Sequence, residues 1–315
     1  MKYRFRQPAT LGPVATLEYG PYVLNVAPEF GGRIVSFRYD GRDVLRSTPA
    51  AVLIAPKVYE FAGFPLMPYS GPLFGPGFAF AGLNHILNRT VREEPTATHG
   101  DAWISSFCTT HQNKSELMLQ YDYVPETGNF PFRWRGNLHY TVGKKGLSIF
   151  LRVTSRDHRP MPAGIGFHPY FPKNKGSVLR FDAVGVWPAD APEAVSEECR
   201  PLEEDLSFCE GRDVSDVVID RLYEGWDGRA ELTANDGFRT LIEADGALDK
   251  LQLYSAWDYP YVCIEPVSNA NDGFNRMAAG VPSHGVRVLE PNRSIEGAIR
   301  IFVDTDTISA GEKSK

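Results

Sequence analysis

Two segments of the chain carry ionisable side chains in settings suited to moving protons. His168 lies in "AGIGFHPYFPK", residues 163–173, directly before Pro169. A residue that precedes proline is sterically driven out of the helical region, so this segment reads as extended. On an extended backbone Phe167 and Phe171 point one way while His168 and Tyr170 point the other. The two phenylalanines can then anchor in a core and present the imidazole on an open face. Glu265 lies in "YVCIEPVSNANDGFN", residues 261–275, where Val262 and Ile264 fit one strand face and Glu265 falls on the other with Cys263 and Tyr261. Pro266 removes a backbone donor at that point and ends regular pairing. In apolar surroundings such a carboxylate is pushed toward neutrality, which suits a general base. An imidazole, with an ordinary pKa near ~6.5, can serve as acid in one direction and base in the other. A packed, hydrogen-bonded histidine and a partly exposed strand-end glutamate fit these two stretches equally well.

Two further side chains belong with them. His99, in "TATHGDAW", is followed by a glycine that permits a turn and the close approach of a ligand. Asp220, in "VVIDRLYEGWDGRAEL", follows an apolar triplet and precedes a turn at "WDG", where a plain surface aspartate is the commoner explanation. Other patterns carry no chemistry. "SGPLFGPGFAFAG" at 70–82 lacks the G-x-x-x-x-G-K-[ST] order of a phosphate loop and reads as a loop and hairpin. "NANDGFN" at 269–275 lacks the alternating ligands and final Glu of a calcium loop and reads as a turn. There is no G-x-S-x-G and no H-E-x-x-H. Cys108, Cys199, Cys209 and Cys263 show no C-x-x-C spacing and read as free thiols.

The elements that must hold these residues are strands. In "SELMLQYDYV" Leu117, Leu119, Tyr121 and Tyr123 alternate with polar positions. Leu147, Ile149, Leu151 and Val153 do the same in "GLSIFLRVTS", and Ile295, Ile299, Ile301 and Val303 share one parity near the end. Period-two alternation marks strands with one buried face. Turn signals separate them, with "DG" at 40–41, 227–228, 236–237 and 245–246 and "KKG" at 144–146. One helix is expected within "APEAVSEECRPLEEDL", interrupted by Pro201. The expected fold is all-β, a large antiparallel sandwich formed by residues 1–315 as a single domain, with 306–315 a frayed tail.

The 315 residues are 43% hydrophobic and 23% charged, with a net charge of −6. That balance fits an ordinary globular protein and argues against nucleic-acid binding, which needs clustered Lys and Arg. No apolar run reaches the ~18 residues of a membrane span and the N-terminus has no h-region, so a cytoplasmic location and no membrane partner are expected.

Taken in order, the segments resemble the aldose 1-epimerase (galactose mutarotase) family. The resemblance begins at "FGGRIVSFRYDGRDVL" and continues through "GFPLMPYSG", "FAFAG", "THG" and "MPAGIGFHPYF". It then takes in "IDRLYEGWDGRAEL" and "VCIEPVSNANDGFN" and closes on "GVRVLEPNRSIEGAIRIFV". It implies a single-domain β-supersandwich and a cofactor-independent isomerase that interconverts the α and β anomers of a hexose or related aldose. By the same resemblance His168 protonates the ring oxygen and Glu265 takes the proton from the anomeric hydroxyl. His99 and Asp220 bind the sugar. One position departs from the family, which usually carries a substrate-binding Arg after "PYS". Here Pro72 stands in its place, and Arg89 and Arg92 in "LNRTVREEP" are the candidates to replace it. An epimerase of a phosphorylated or sulfonated hexose would need such a cation. A non-catalytic sugar-binding module would need no acid and base together. A His₂Glu zinc site is the remaining reading, but no ligand pair has metal-binding spacing, so no metal is expected.

Overall fold

Alternation along the chain builds two large antiparallel sheets in the computed structural model, which describes residue 8 and residues 10–126 and 129–304. One sheet has eleven strands and the other nine. Six consecutive strands of the larger sheet matter here: Arg33–Tyr39, Gly63–Leu66, Gly166–Pro172, Tyr261–Val267, Lys250–Ser255 and Ile219–Glu224, paired side by side in that order. The expected frayed tail at 306–315 lies outside the described residues.

Each of these strands buries both faces, and the two faces do different work. Phe167, Phe171, Val262, Ile264, Leu251 and Leu253 enter the main core. There they meet Leu147, Ile149, Leu151 and Val153 of the nine-stranded sheet, all four fully buried. Leu147, Ile149 and Val153 lie opposite Ile301, Ile299 and Ile295 on the neighbouring strand, so the alternation legible in both stretches closes into one apolar layer. Close packing of such side chains is the main favourable term in folding. On the other face Phe64, Leu66, Tyr170, Leu222, Cys263 and Val267 form a second cluster, covered by Trp103, Trp187 and Val281 from loops. His168 and Glu265 sit on this second face.

The turn signals divide into two kinds. Asp40 and Gly41 both take left-handed φ values of 47° and 76° and close the hairpin between Arg33–Tyr39 and Arg42–Leu45, as a two-residue primed turn requires. The "DG" at 227–228 joins strands of different sheets, carrying the chain from Ile219–Glu224 to Arg229–Thr233. The expected helix within 191–206 is corrected. That stretch contains 3-10 turns at Pro192–Ser196 and Glu204–Leu206, with a two-residue strand at Arg200–Pro201 between them. Pro201 supplies no backbone donor for a helical ladder, so extended pairing with Gly185 takes over. Conversely, "NANDGFN" does more than turn, because it leads into a short helix at Gly273–Ala278.

That segment also clamps the loop containing Pro72. The Asn269 side chain accepts the Ser70 N–H at 3.1 Å and donates to the Ser70 carbonyl at 3.0 Å. Asp272 Oδ1 accepts the Phe74 N–H at 2.9 Å, and the Asp272 N–H donates to the Pro72 carbonyl at 2.8 Å. At the far end of the Gly166–Pro172 strand, Lys173 Nζ is buried and donates to Ser255 Oγ at 2.7 Å and to two backbone carbonyls. The strand is thus pinned to a neighbour two places away.

Gly166 opens the strand that carries His168. A Cβ there would meet Val267 Cγ1 at 2.8 Å and the Pro266 carbonyl at 3.1 Å. Gly166→Ala should therefore cost about 1–3 kcal/mol by overpacking, read as a lowered urea midpoint with an unchanged m-value. A midpoint equal to that of wild type would show that the contact relaxes freely.

Candidate active site

The geometry of the site follows from strand register. Gly166 lies opposite Val267 and Tyr170 opposite Cys263, so the same register sets His168 opposite Glu265. Phe64 faces His168 from the other side, and Gln252 faces Glu265. A row of side chains therefore runs across the sheet from Phe64 through His168 and Glu265 to Gln252. The next row on the same face runs through Tyr170, Cys263, Tyr254 and Asp220. These rows border a cavity of about 400 Å³, whose lining also includes His99, Pro72, Asn271, Tyr59, Tyr259 and Tyr261. That volume lies in the range of small-molecule sites.

His168 Nε2 is 3.2 Å from Glu265 Oε1, and the two side chains are 11% and 3% exposed. The imidazole packs against two rings that also neighbour each other, Tyr170, nearly parallel at 4.6 Å, and Phe64 at 4.7 Å. Burial holds His168 well below the usual histidine range, helped by the neighbouring His99 and Arg46. Burial also lifts Glu265 well above the usual carboxylate range, with the charge of Asp220 adding to the effect. Withdrawal from water disfavours charge on either partner. Both shifts disfavour the ion pair and favour the neutral pair, in which the proton lies on Glu265.

His99 is fixed by reciprocal backbone contacts. Its N–H donates to the Gly71 carbonyl at 2.9 Å, and its Nδ1 accepts the Gly71 N–H at 3.0 Å. An imidazole that accepts at Nδ1 carries its proton on Nε2, so His99 faces the cavity as a neutral donor. Loss of solvent pushes its pKa down to about 3. The residue adopts a left-handed φ of 61°, a conformation uncommon outside glycine. Its ring meets that of His168 edge to face at 5.9 Å.

Asp220 stands at the mouth and accepts a hydrogen bond from Gln252 Nε2 at 2.6 Å. Gln252 Oε1 in turn accepts from Asn271, whose amide also donates to Asp190 at 2.8 Å. Asp190 is crowded by protein although its carboxylate still meets solvent. Its pKa is raised to about 6, first by desolvation and then by the charge of Asp220. The structure thus brings all four expected residues, His99, His168, Asp220 and Glu265, to one cavity. It adds Gln252, Asn271 and Asp190, for which the sequence offered no distinct signal. Pro72 lines the wall, whereas neither Arg89 nor Arg92 does, so neither takes the place of the missing arginine there.

Comparison with known proteins identifies the family and the fold. Residues 13–301 match the family model described as aldose 1-epimerase.

The chain belongs to the aldose 1-epimerase family.

Among its relatives is the uncharacterized protein YphB of Escherichia coli (strain K12), 26% identical over 281 residues, or 85% of this chain and 92% of that protein. A solved Escherichia coli K12 structure, named only provisionally as an aldose 1-epimerase, superimposes with a TM-score of 0.81 at 22% identity over 93% of this chain and 99% of that one. A galactose mutarotase-like protein from Clostridium acetobutylicum does so with a TM-score of 0.77 at 18% identity, over 92% and 94% of the two chains. At these identities the structural matches establish the fold, a galactose mutarotase-like all-β architecture. Among the described residues no helix is long and apolar enough to cross a membrane.

His168, Cys263 and Glu265 also place a nitrogen, a sulfur and a carboxylate oxygen within 4.8 Å of one another. A metal needs its thiol and carboxylate ligands deprotonated. Burial pushes both Cys263 and Glu265 well up toward their protonated forms. A cation bound there would have to displace protons from both groups.

The depressed pKa of His99 makes stability depend on pH with a definite sign. In the unfolded chain its imidazole takes up a proton near 6.5, whereas in the fold it does so only at about 3. The contribution of His99 to stability is thus complete above pH 6.5 and is lost as pH falls toward 3, at about 1.4 kcal/mol per pH unit. Between pH 7.5 and 5.0 wild type should lose about 2 kcal/mol more than His99→Gln in urea unfolding. Equal losses in the two proteins would mean that His99 is protonated in the fold.

Proposed function

We propose that this cavity interconverts the α and β anomers of a free hexose or related aldose. The observation that carries the reading is the buried His168–Glu265 contact in the cavity lining. An aldose presents two oxygens on one carbon, the ring oxygen and the anomeric hydroxyl. A proton donor and a proton acceptor 3.2 Å apart suit engagement of both together. In ring opening His168 gives a proton to the ring oxygen as its bond to the anomeric carbon breaks. Glu265 takes the anomeric hydroxyl proton as the carbonyl forms. The carbonyl end rotates, the released hydroxyl attacks the other face, and both protons return along reversed paths. The pair ends with the proton count it began with, so no cofactor is called for.

The environment supports these roles. Because burial lowers His168 and raises Glu265, an imidazolium beside a carboxylate is disfavoured there, which promotes passage of the proton from His168 through the sugar to Glu265. General acid–base transfer of this kind contributes roughly 10²–10⁴-fold, and holding the sugar in place adds to it. The Nε2–H of His99 can donate to the sugar near its ring oxygen, and Asp220 can accept from its hydroxyls. The tyrosines offer apolar ring surface and hydroxyl groups to the rest of the substrate. Among the described residues no Lys or Arg lines the cavity, whereas Glu94, Asp190, Asp220 and Glu265 do. This favours an uncharged sugar over a phosphorylated or sulfonated one, because an anion there would meet carboxylates and no cation.

Polarimetry on freshly dissolved α-D-glucose and α-D-galactose tests the reading. Wild type should speed relaxation of the rotation, and His168→Asn and Glu265→Gln should each lose about 10²–10⁴-fold of that acceleration while staying folded. Glucose 6-phosphate should be accelerated far less than glucose. Measurable binding of aldoses with no acceleration of any of them would instead identify a sugar-sensing module.

A further inference from the structure

The acid–base pair is backed by two arginines that have no carboxylate partner among the described residues. Arg46 lies with its guanidinium 4.2 Å from the centroid of the Tyr170 ring and 4.3 Å from that of Tyr261. Its hydrogen bonds go to the backbone carbonyls of Tyr59 and Phe61, at 2.8 and 2.7 Å. Tyr170 is the ring stacked on His168 at 4.6 Å and 19°. On the Phe64 side Arg33 is fully buried, 4.7 Å from the Phe64 ring, and donates to the carbonyls of Trp103 and Val58. The imidazole therefore packs against two neighbouring aromatic rings, and each ring has a guanidinium against it.

We propose that Arg46 is a positioning residue of the acid–base pair, acting on His168 through the Tyr170 ring. The contact does two things. Stacked on Tyr170, the guanidinium fixes the plane of the ring against which the imidazole lies, and so fixes the direction of Nε2. As a permanent cation in a poorly solvated wall, it also opposes protonation of His168. The other groups facing His168 set the balance. Glu265 is the anion that draws a proton onto the imidazole, and Asp220 acts on the pair through Glu265. His99 is neutral, because desolvation pushes it down to about 3. Cys263, Tyr170 and Tyr261 are all pushed up by burial and stay protonated. Arg33 and Arg46 are then the fixed cations that counter Glu265. Without Arg46 the proton would settle on His168 as a tight ion pair with Glu265, and giving it to a sugar oxygen would become harder.

This inference rests on the proposed anomer interconversion, but its main test needs no turnover. Histidine ring ¹⁵N NMR on the full chain, in wild type, Arg46→Met and Arg46→Lys, reads the His168 titration directly. In wild type the His168 midpoint should lie below the ordinary imidazole value of ~6.5. In Arg46→Met its midpoint should rise by about one pH unit or more. Arg46→Lys, which keeps the charge without the flat stacking surface, should recover at least half of that shift. A wild-type midpoint at or above 6.5 would overturn the proposal even if neither variant folded. So would a folded Arg46→Met with an unmoved midpoint, or an Arg46→Lys shifted as far as Arg46→Met. Failure of every variant and of wild type to accelerate any aldose would count against the proposed function alone, since the NMR midpoints stand independently of it.

Discussion

The site depends on the register between the Gly166–Pro172 strand and the Tyr261–Val267 strand. Ninety-seven positions separate His168 from Glu265 along the chain, and only antiparallel pairing sets one opposite the other. The same pairing sends Phe167, Phe171, Val262 and Ile264 into the layer between the sheets. Apolar burial on one face therefore holds the polar contact on the other. Separating the two functional groups would require pulling four large side chains out of a close-packed interior, each worth about 1.5–3 kcal/mol of burial.

The dryness that results explains the chemistry of the pair. A solvated imidazole and carboxylate at this distance would settle as an ordinary ion pair. Enclosed by Phe64, Tyr170 and the loops above them, neither gains much from being charged. The neutral form gains on the ionic one, which suits the proton transfer proposed for the pair. The loop bearing Pro72 completes the enclosure. It is held in place by Asn269 and Asp272, whose side chains satisfy its backbone groups.

Much of this was legible in the sequence, though unevenly. Period-two alternation and the proline after His168 gave the correct face for every side chain in the two site strands, because those signals are local. The all-β class followed from the same alternation. The facing of His168 and Glu265 was not legible from the residues themselves, since register between distant strands leaves no local trace; only family resemblance joined them. Gln252 looked like any polar position on a half-buried strand, and Asp190 lies in an irregular connection with no periodic pattern to mark it. The clamp formed by "NANDGFN" was understated as a turn because its partners, Ser70 to Phe74, are some 200 residues away. The expected helix at 191–206 failed for the opposite reason. Good local helix formers were overridden by tertiary pairing at Pro201.

Side chains on a strand alternate with a period of two, so a slip of one residue in the Gly166–Pro172 strand would do more than move His168 along the sheet. It would turn the imidazole into the apolar interior and bring Phe167 or Phe171 out into the cavity. A molecule mispaired in this way would lose its chemistry and its core together, with no intermediate that keeps one and lacks the other. Catalytic competence and correct strand pairing thus share one conformational coordinate, and turnover becomes a report on whether the chain has found its native register.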